Sequence, residues 1–132
     1  MSALYDLGRQ KFLEGAIQWL SHNIHVALVD TGTYSVDLAA DEFLSDLSGV
    51  VATSGALTGK NSTNGVADAA DITITGVSGS SVEALVLYRD TGVAATSPLI
   101  AYINTGTGLP FTPNGGDVLI SWDNGASRIY KL

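Results

Sequence analysis

Short runs in which apolar residues alternate with polar or small ones recur along most of this chain, and this period of two restricts its possible folds most strongly. Ile24, Val26 and Leu28 form one such run. A period of two places successive side chains on opposite faces of a β-strand. We therefore expect strands at residues 17–19, 24–28, 50–52, 55–57, 72–75, 82–88, 99–103, 118–122 and 128–132.

Segments rich in Gly, Asn, Asp, Ser and Pro separate these runs, as at residues 59–65, 79–81, 113–117 and 123–125. Many short strands divided by turn formers predict a β-sandwich or barrel and disfavour alternating βα units. Because Asn-Gly adopts the conformation of a tight β-turn readily, Asn124-Gly125 predicts a hairpin that closes the chain.

The first residues follow a different spacing. Apolar or amphipathic side chains at roughly helical intervals are Leu4, Leu7 and Lys11. This pattern predicts one amphipathic helix over about residues 3–14, which Ser2 can cap and Gly15 can end. Residues 41–47 are compatible with a second short helix opened by Asp41.

The length of 132 residues is usual for one domain and allows roughly two-thirds of the unfolded chain's surface to be buried. We predict a single, mainly β domain over residues 1–132: an antiparallel β-sandwich or barrel with strands from about residue 17 to 132. The chain has no cysteine, which excludes disulfide bonds, thiolate metal ligands and a cysteine nucleophile.

Charged residues form only 14% of the chain and the net charge is −7, with six basic residues spread along the sequence. Without a basic stripe to neutralise phosphates, nucleic-acid binding is disfavoured. No apolar run is long enough to span a bilayer, and the N-terminal residues lack the apolar stretch of a signal peptide. We expect no membrane association and a product made in the cytoplasm. The sparse charge is typical either of a carbohydrate-like or secreted surface or of one covered by neighbouring subunits.

The sequence Asp-Thr-Gly occurs twice, at Asp30 and at Asp90, and aspartic proteases use two such loops to bring two carboxylates together. Arg89 precedes the second copy, and its charge would oppose a shared proton. Asp-Thr-Gly is otherwise an ordinary turn. We therefore expect two turns and no protease.

Other reactive side chains are sparse. His22 and His25, with Asp30 as a third ligand, are a weak candidate for a metal pair, and a solvated turn is the favoured interpretation. Calcium is a second alternative, with oxygens supplied either by Asp68 and Asp71 or by Asp37, Asp41 and Glu42; turn and capping bonds explain these acids equally well. We expect no catalytic residue, no metal and no cofactor.

Five aromatic residues could line a sugar-binding surface: Tyr34, Tyr88, Tyr102, Trp122 and Tyr130. At alternating strand positions such residues are more often core or cross-strand partners. A glycan-binding adhesion module therefore stays open as the alternative function.

The segment Leu109-Pro110-Phe111-Thr112-Pro113 is the candidate contact loop. Its two prolines exclude a central strand, whereas Leu109 and Phe111 are large and apolar. Such a loop either folds back over the core or presents an anchor to a partner. The candidate partner-contact residues are Leu109, Pro110, Phe111 and Pro113.

Several stretches together resemble a group of small proteins found in the virions of tailed bacteriophages. The resemblance is carried by Leu4-Tyr5-Asp6-x-Gly8-Arg9-x-x-Phe12-Leu13-x-Gly15-x-Ile17-x-Trp19, by Val26-Ala27-Leu28-Val29-Asp30-Thr31-Gly32-x-Tyr34, and by residues 82–92, 108–117 and 122–125. These stretches span nearly the whole chain and are specific as a set.

The resemblance implies a virion component, either a decoration (cement) protein of the head or a minor tail protein. It implies contacts with other virion proteins of the capsid or tail. It also implies assembly in the host cytoplasm as a homo-oligomer or in many copies on a particle. It carries over no catalytic residue.

Overall fold

Nine strands and one α-helix make up the computed structural model, which describes residues 2–125 and 128–132. The strands in chain order are β1 (Ser2–Leu4), β2 (Ile24–Val29), β3 (Val50–Thr53), β4 (Val66–Ala67), β5 (Ile72–Ile74), β6 (Ala84–Arg89), β7 (Leu99–Ile103), β8 (Val118–Ile120) and β9 (Tyr130–Lys131). The helix, α1, spans Asp6–Leu13, and single 3₁₀ turns lie at Leu44–Asp46, Thr63–Gly65 and Ala94–Thr96.

Five of the strands form one antiparallel sheet in the order β1-β7-β6-β2-β3. Two small antiparallel pairs, β4 with β9 and β5 with β8, lie outside this sheet. The prediction of a mainly β, antiparallel fold with one N-terminal helix is confirmed. The central sheet has β1 and β3 at its edges, so it is open and packs in layers.

Both faces of the central sheet are covered. On β2, Ile24, Val26 and Leu28 belong to the main hydrophobic cluster, whereas Ala27 and Val29 belong to a second cluster. Because alternate residues of a strand point to opposite faces, the two clusters lie on opposite sides of the sheet. Antiparallel sheets commonly leave one face to solvent. Here the double covering explains why residues 24–29 are almost continuously apolar.

The main cluster joins the sheet to the two small strand pairs, through Trp19, Ala67, Ile74, Ile120, Trp122 and Tyr130. The second cluster packs the other face against Tyr5 and the segment 34–47, through Tyr34, Val36, Leu38, Leu44 and Leu47. The site described below lies on the side of the main cluster.

The helix is shorter than expected at its start. Ser2 lies in β1, where its Cα is paired with that of Ile103, so the expectation that Ser2 caps the helix is wrong. The helix follows Tyr5, whose side chain is completely buried. Its end is as predicted, since Gly15 has a φ of +77° and its N–H donates to the carbonyl of Phe12 at 3.2 Å.

Three other predicted elements are absent or reduced to a single turn. Residues 17–19 form no strand: the N–H of Ile17 bonds to Lys11 at the end of the helix, and Ile17 is buried there without a strand partner. Residues 55–57 form no strand either, although the N–H of Leu57 bonds to Ile24 at 2.8 Å. Within 41–47 only the single 3₁₀ turn at 44–46 forms.

The predicted closing hairpin at Asn124-Gly125 is also wrong. β8 pairs with β5 and β9 pairs with β4, so the two strands that flank this turn do not pair with each other. Favourable turn residues permit a hairpin, but the strand partners are chosen by the apolar surface that each pairing buries. Met1, Ala126 and Ser127, which belong to the predicted domain 1–132, lie outside the described residues.

Candidate functional site

A groove of about 890 Å³ opens between β8 and the segment that follows β7. Its floor belongs to the main hydrophobic cluster, since Leu28 and Leu85 of the central sheet lie at its base. Other apolar side chains that line it are Ile103, Leu109, Phe111, Ile120, Trp122 and Ile129.

One wall is the segment 104–113, which is anchored by backbone bonds. The N–H of Phe111 donates to the carbonyl of Val82 at 3.0 Å, and the N–H of Val82 donates back to Phe111 at 2.8 Å. A turn closes before them, where the N–H of Leu109 donates to Gly106 at 3.2 Å and Gly108 adopts a φ of +91°. These bonds hold Leu109 and Phe111 against the main cluster.

The structure separates the four candidate contact residues. Leu109 and Phe111 line the groove and are half-buried, so the loop folds back on the core and still offers apolar surface at the groove. Pro110 is exposed and Pro113 is half-buried, and neither is among the described residues that line the groove.

The other wall is β8, where the alternation of the strand decides which side chains are available. Ile120 is buried, whereas Leu119 is 64% exposed although it lines the groove. Trp122 follows β8 and is held by two bonds: its N–H donates to Asp71 Oδ1 and its indole Nε1 donates to the carbonyl of Ala70, both at 3.1 Å. The Trp122 ring is therefore fixed in orientation at the base of the groove.

The charged residues that line the groove in the described part of the chain are exposed and lie at its rim. Asp117 accepts a bond from the N–H of Gly76 at 3.2 Å, and Arg128 donates through Nη1 to Asn124 Oδ1 at 3.0 Å. Asp117, Asp123 and Arg128 all line the groove. An apolar floor with a polar rim is the anatomy of a protein-binding surface. The arrangement can bury apolar side chains of a partner.

Leu119, Trp122 and Ile129 line the groove but were not predicted from the sequence as contact residues. Leu119 could have been found from the sequence, because it is a large apolar residue at a strand position that alternation places on the solvent side. Trp122 was considered only as a sugar platform. Ile129 carried no signal, because its place in the groove depends on the pairing of β9 with β4, far away in sequence.

The two Asp-Thr-Gly sequences lie at opposite ends of the paired strands β2 and β6. The N–H of Asp90 bonds to Asn23, before β2 begins, and Asp30 follows Val29, where β2 ends. Six strand residues separate these positions by about 20 Å. Each aspartate accepts a bond from the glycine two residues later, at 2.9 Å for Asp30 and 3.0 Å for Asp90. The carboxylates close turns and cannot share a proton.

The two histidines have different partners. His22 Nδ1 accepts a bond from the N–H of Gln18 at 2.9 Å, and burial together with the charges of Arg89 and Lys60 lowers the pKa of His22. His25 Nε2 lies 3.5 Å from Asp90 Oδ2, near the start of β2.

The acids considered for calcium are engaged in local bonds. Asp37 Oδ1 accepts from Ala39 and Ala40, both at 3.1 Å, and Glu42 pairs with Lys11 at 2.9 Å. Asp71 orients Trp122, as described above, and Asp68 lies 3.9 Å from Arg128. Among residues 2–125 and 128–132, no three Asp, Glu or His side chains form a cluster that could hold a metal ion.

The five aromatic residues considered for sugar binding are buried, with exposed fractions of 9% or less: Tyr34, Tyr88, Tyr102, Trp122 and Tyr130. They act as core residues. The rings of Tyr130 and Trp19 are nearly perpendicular, with centroids 5.3 Å apart, and the ring centroids of Tyr34 and Tyr102 are 6.4 Å apart. A sugar platform of exposed rings is not formed by these side chains.

A buried chain of hydroxyls links the second cluster to the segment 34–47. The Tyr34 hydroxyl donates to Asp41 Oδ2 at 2.5 Å and lies 3.0 Å from the Tyr5 hydroxyl. Burial and the bond to Asp41 raise the pKa of Tyr34, and burial raises the pKa of Tyr5. Asp41 also accepts the N–H of Asp37 at 3.0 Å. This network fastens the segment to the sheet, which is a structural role.

None of the helices in the described part of the chain is long and apolar enough to cross a membrane. No protein-family model matches this sequence, and no curated protein matches it.

Proposed function

We propose that this protein is a structural component of a tailed-phage virion that binds the capsid or tail surface, as a decoration (cement) protein or a minor tail protein. The observation that carries the binding role is the apolar groove, in which Leu109, Phe111 and Leu119 stay accessible beside a buried floor. The resemblance of the sequence to small phage virion proteins is the reason for proposing that the bound surface belongs to a virion.

The composition supports the same proposal. Only 14% of the residues are charged, and surfaces with few charges are poorly protected against association. Large apolar side chains at the protein's surface are Leu13, Leu20, Val50, Val93, Leu119 and Leu132. Of these, Leu119 lines the groove of about 890 Å³, whereas Val50 lines a smaller pocket of about 260 Å³, so Leu119 is the best anchor for a neighbouring subunit.

Quantitative mass spectrometry of purified virions tests the proposal. We expect the protein in every particle, in many copies if it decorates the head and in few copies if it belongs to the tail. Its absence from purified particles would overturn the proposal. A glycan array with specific hits would instead favour the adhesion module.

A pair of leucine variants tests the groove. Leu119→Arg places a charge at the groove, and we expect its binding to particles that lack the protein to weaken at least about tenfold. Leu13→Arg is the matched control, because Leu13 is 90% exposed and lies at the end of α1, outside the groove. Equal binding by both variants would exclude the groove as the contact surface.

A further inference from the structure

Three Asn-Gly pairs occur in the chain, at residues 64–65, 114–115 and 124–125. An asparagine followed by glycine can lose its amide spontaneously. The backbone nitrogen of the glycine attacks the side-chain carbonyl carbon, the new C–N bond closes a succinimide ring, and ammonia leaves with the former Nδ2. Water then opens the ring to aspartate or isoaspartate. All three asparagines and their glycines are exposed, so exposure does not distinguish the pairs.

The nucleophile is held back at two of the three pairs. The N–H of Gly115 donates to the carbonyl of Val77 at 2.7 Å, and the N–H of Gly65 donates to Ser62 at 3.1 Å. At residue 114 the side-chain oxygen, Asn114 Oδ1, accepts only the neutral backbone N–H of Gly116, at 2.9 Å in a tight turn. Attack at these pairs first requires a hydrogen bond to be broken.

The third pair, Asn124-Gly125, differs from the other two in both the attacking glycine nitrogen and the asparagine side-chain carbonyl. Among the described residues, the N–H of Gly125 has no acceptor. The carbonyl oxygen of the Asn124 side chain accepts a bond from Arg128 Nη1 at 3.0 Å. A guanidinium on this oxygen withdraws electrons from the carbonyl carbon and stabilises the negative charge that develops on the oxygen during attack.

We infer that Asn124-Gly125 is a self-modification site of the folded protein, at which Arg128 promotes deamidation while the other two Asn-Gly pairs are protected. The product places a carboxylate beside Arg128 at the rim of the groove and raises the net negative charge of the chain by one. Because Asp123 and Arg128 both line the groove, the modification changes the charge presented there.

Incubation of the folded protein at pH 8, followed by peptide mapping with mass spectrometry, tests this inference. We expect the amide-to-carboxyl mass change at Asn124 at least about fivefold faster than at Asn64 or Asn114, since each of those pairs must first lose a hydrogen bond. The rate should rise with pH, because the attacking nitrogen must be deprotonated. Equal rates at the three pairs in the folded protein would overturn the inference.

Two controls distinguish the effect of the folded structure on the deamidation rate from the effect of the neighbouring residues in the sequence. In denaturant the hydrogen bonds are lost, so the three rates should converge; a preference for Asn124 that persists there would contradict a structural cause. In Arg128→Gln we expect the Asn124 rate to fall about fivefold while those of Asn64 and Asn114 stay as they are. An unchanged Asn124 rate in that variant would overturn the role of Arg128. Neither readout depends on binding to a particle, so failure here and failure of the proposed function are distinguishable.

Discussion

Tyr130 combines deep burial with an unused hydrogen-bonding group. Its ring packs between Phe12 and Trp19, with centroid distances of 6.1 Å and 5.3 Å. Its hydroxyl is the buried side-chain polar atom that lacks a partner among the described residues. Burial raises the pKa of Tyr130 for the same reason, since no donor stabilises a phenolate there. The ring therefore contributes to the core, while the hydroxyl costs desolvation free energy.

Replacing this hydroxyl gives a prediction at the level of single atoms. Tyr130→Phe should leave the free energy of unfolding unchanged or raise it by about 1 kcal/mol, because an unpaired buried hydroxyl is removed. Urea unfolding followed by circular dichroism measures the change. Tyr34→Phe is the matched control: its hydroxyl bonds Asp41 and Tyr5, and its loss should cost about 1–3 kcal/mol. A similar loss in both variants would show that the Tyr130 hydroxyl has a partner.

The helix illustrates how an element is placed by a single residue. Gly8 lies in the middle of α1, where glycine is unfavourable by about 1 kcal/mol relative to alanine. From the sequence, Gly8 only weakens the helix. In the structure a Cβ at this position would lie 2.4 Å from the carbonyl oxygen of Leu99 in β7. The glycine therefore allows the helix to approach the backbone of the central sheet.

Gly8→Ala should consequently destabilise the protein in spite of the better helix propensity of alanine. We expect the free energy of unfolding to fall by about 1–3 kcal/mol, because the helix must move away from a backbone atom that cannot yield easily. Chemical denaturation checks this. Gln10→Ala, on the exposed side of the same helix, should change the stability by less than about 0.5 kcal/mol. A stabilised Gly8→Ala protein would show that helix and sheet are not in close contact.

The five tyrosines of the chain together make the stability of the protein depend on alkaline pH. Burial raises the pKa of each one above its ordinary value of 10.0: Tyr5, Tyr34, Tyr88, Tyr102 and Tyr130. Folding therefore favours the protonated phenols. Their contribution to stability is complete below pH 10 and is lost as the pH rises through the folded-state values.

We therefore expect the urea midpoint to fall steeply above pH 10, with tyrosinate absorbance appearing at the same pH as the loss of circular dichroism. The coincidence follows because buried phenols ionise when the chain unfolds. Tyrosinate absorbance that rises well before the circular dichroism signal is lost would contradict the burial of these side chains. The same titration in urea, where the chain is already unfolded, gives the reference curve near the ordinary pKa.

Much of the fold could be predicted from the sequence because strand and turn signals are local. The alternation at residues 24–28 and 82–88 and the glycine at residue 15 each indicate one element's type or end, and neighbouring residues suffice to detect them. For the groove, the sequence indicated only that Leu109 and Phe111, which line one wall, are large apolar residues in a loop. The opposite wall was missed, because β8 faces that loop only after β5 has paired with it.

Local patterns suffice to predict a mainly β protein with one N-terminal helix, because hydrophobic period and turn chemistry act over a few residues. Three features follow only from contacts in the folded chain: Ser2–Leu4 join the sheet, β8 and β9 pair with distant strands, and a groove opens between β8 and the segment that follows β7. Those outcomes depend on which of several apolar surfaces meet across the folded chain. The free energy of such contacts is shared by residues far apart in sequence, so no local pattern reports it.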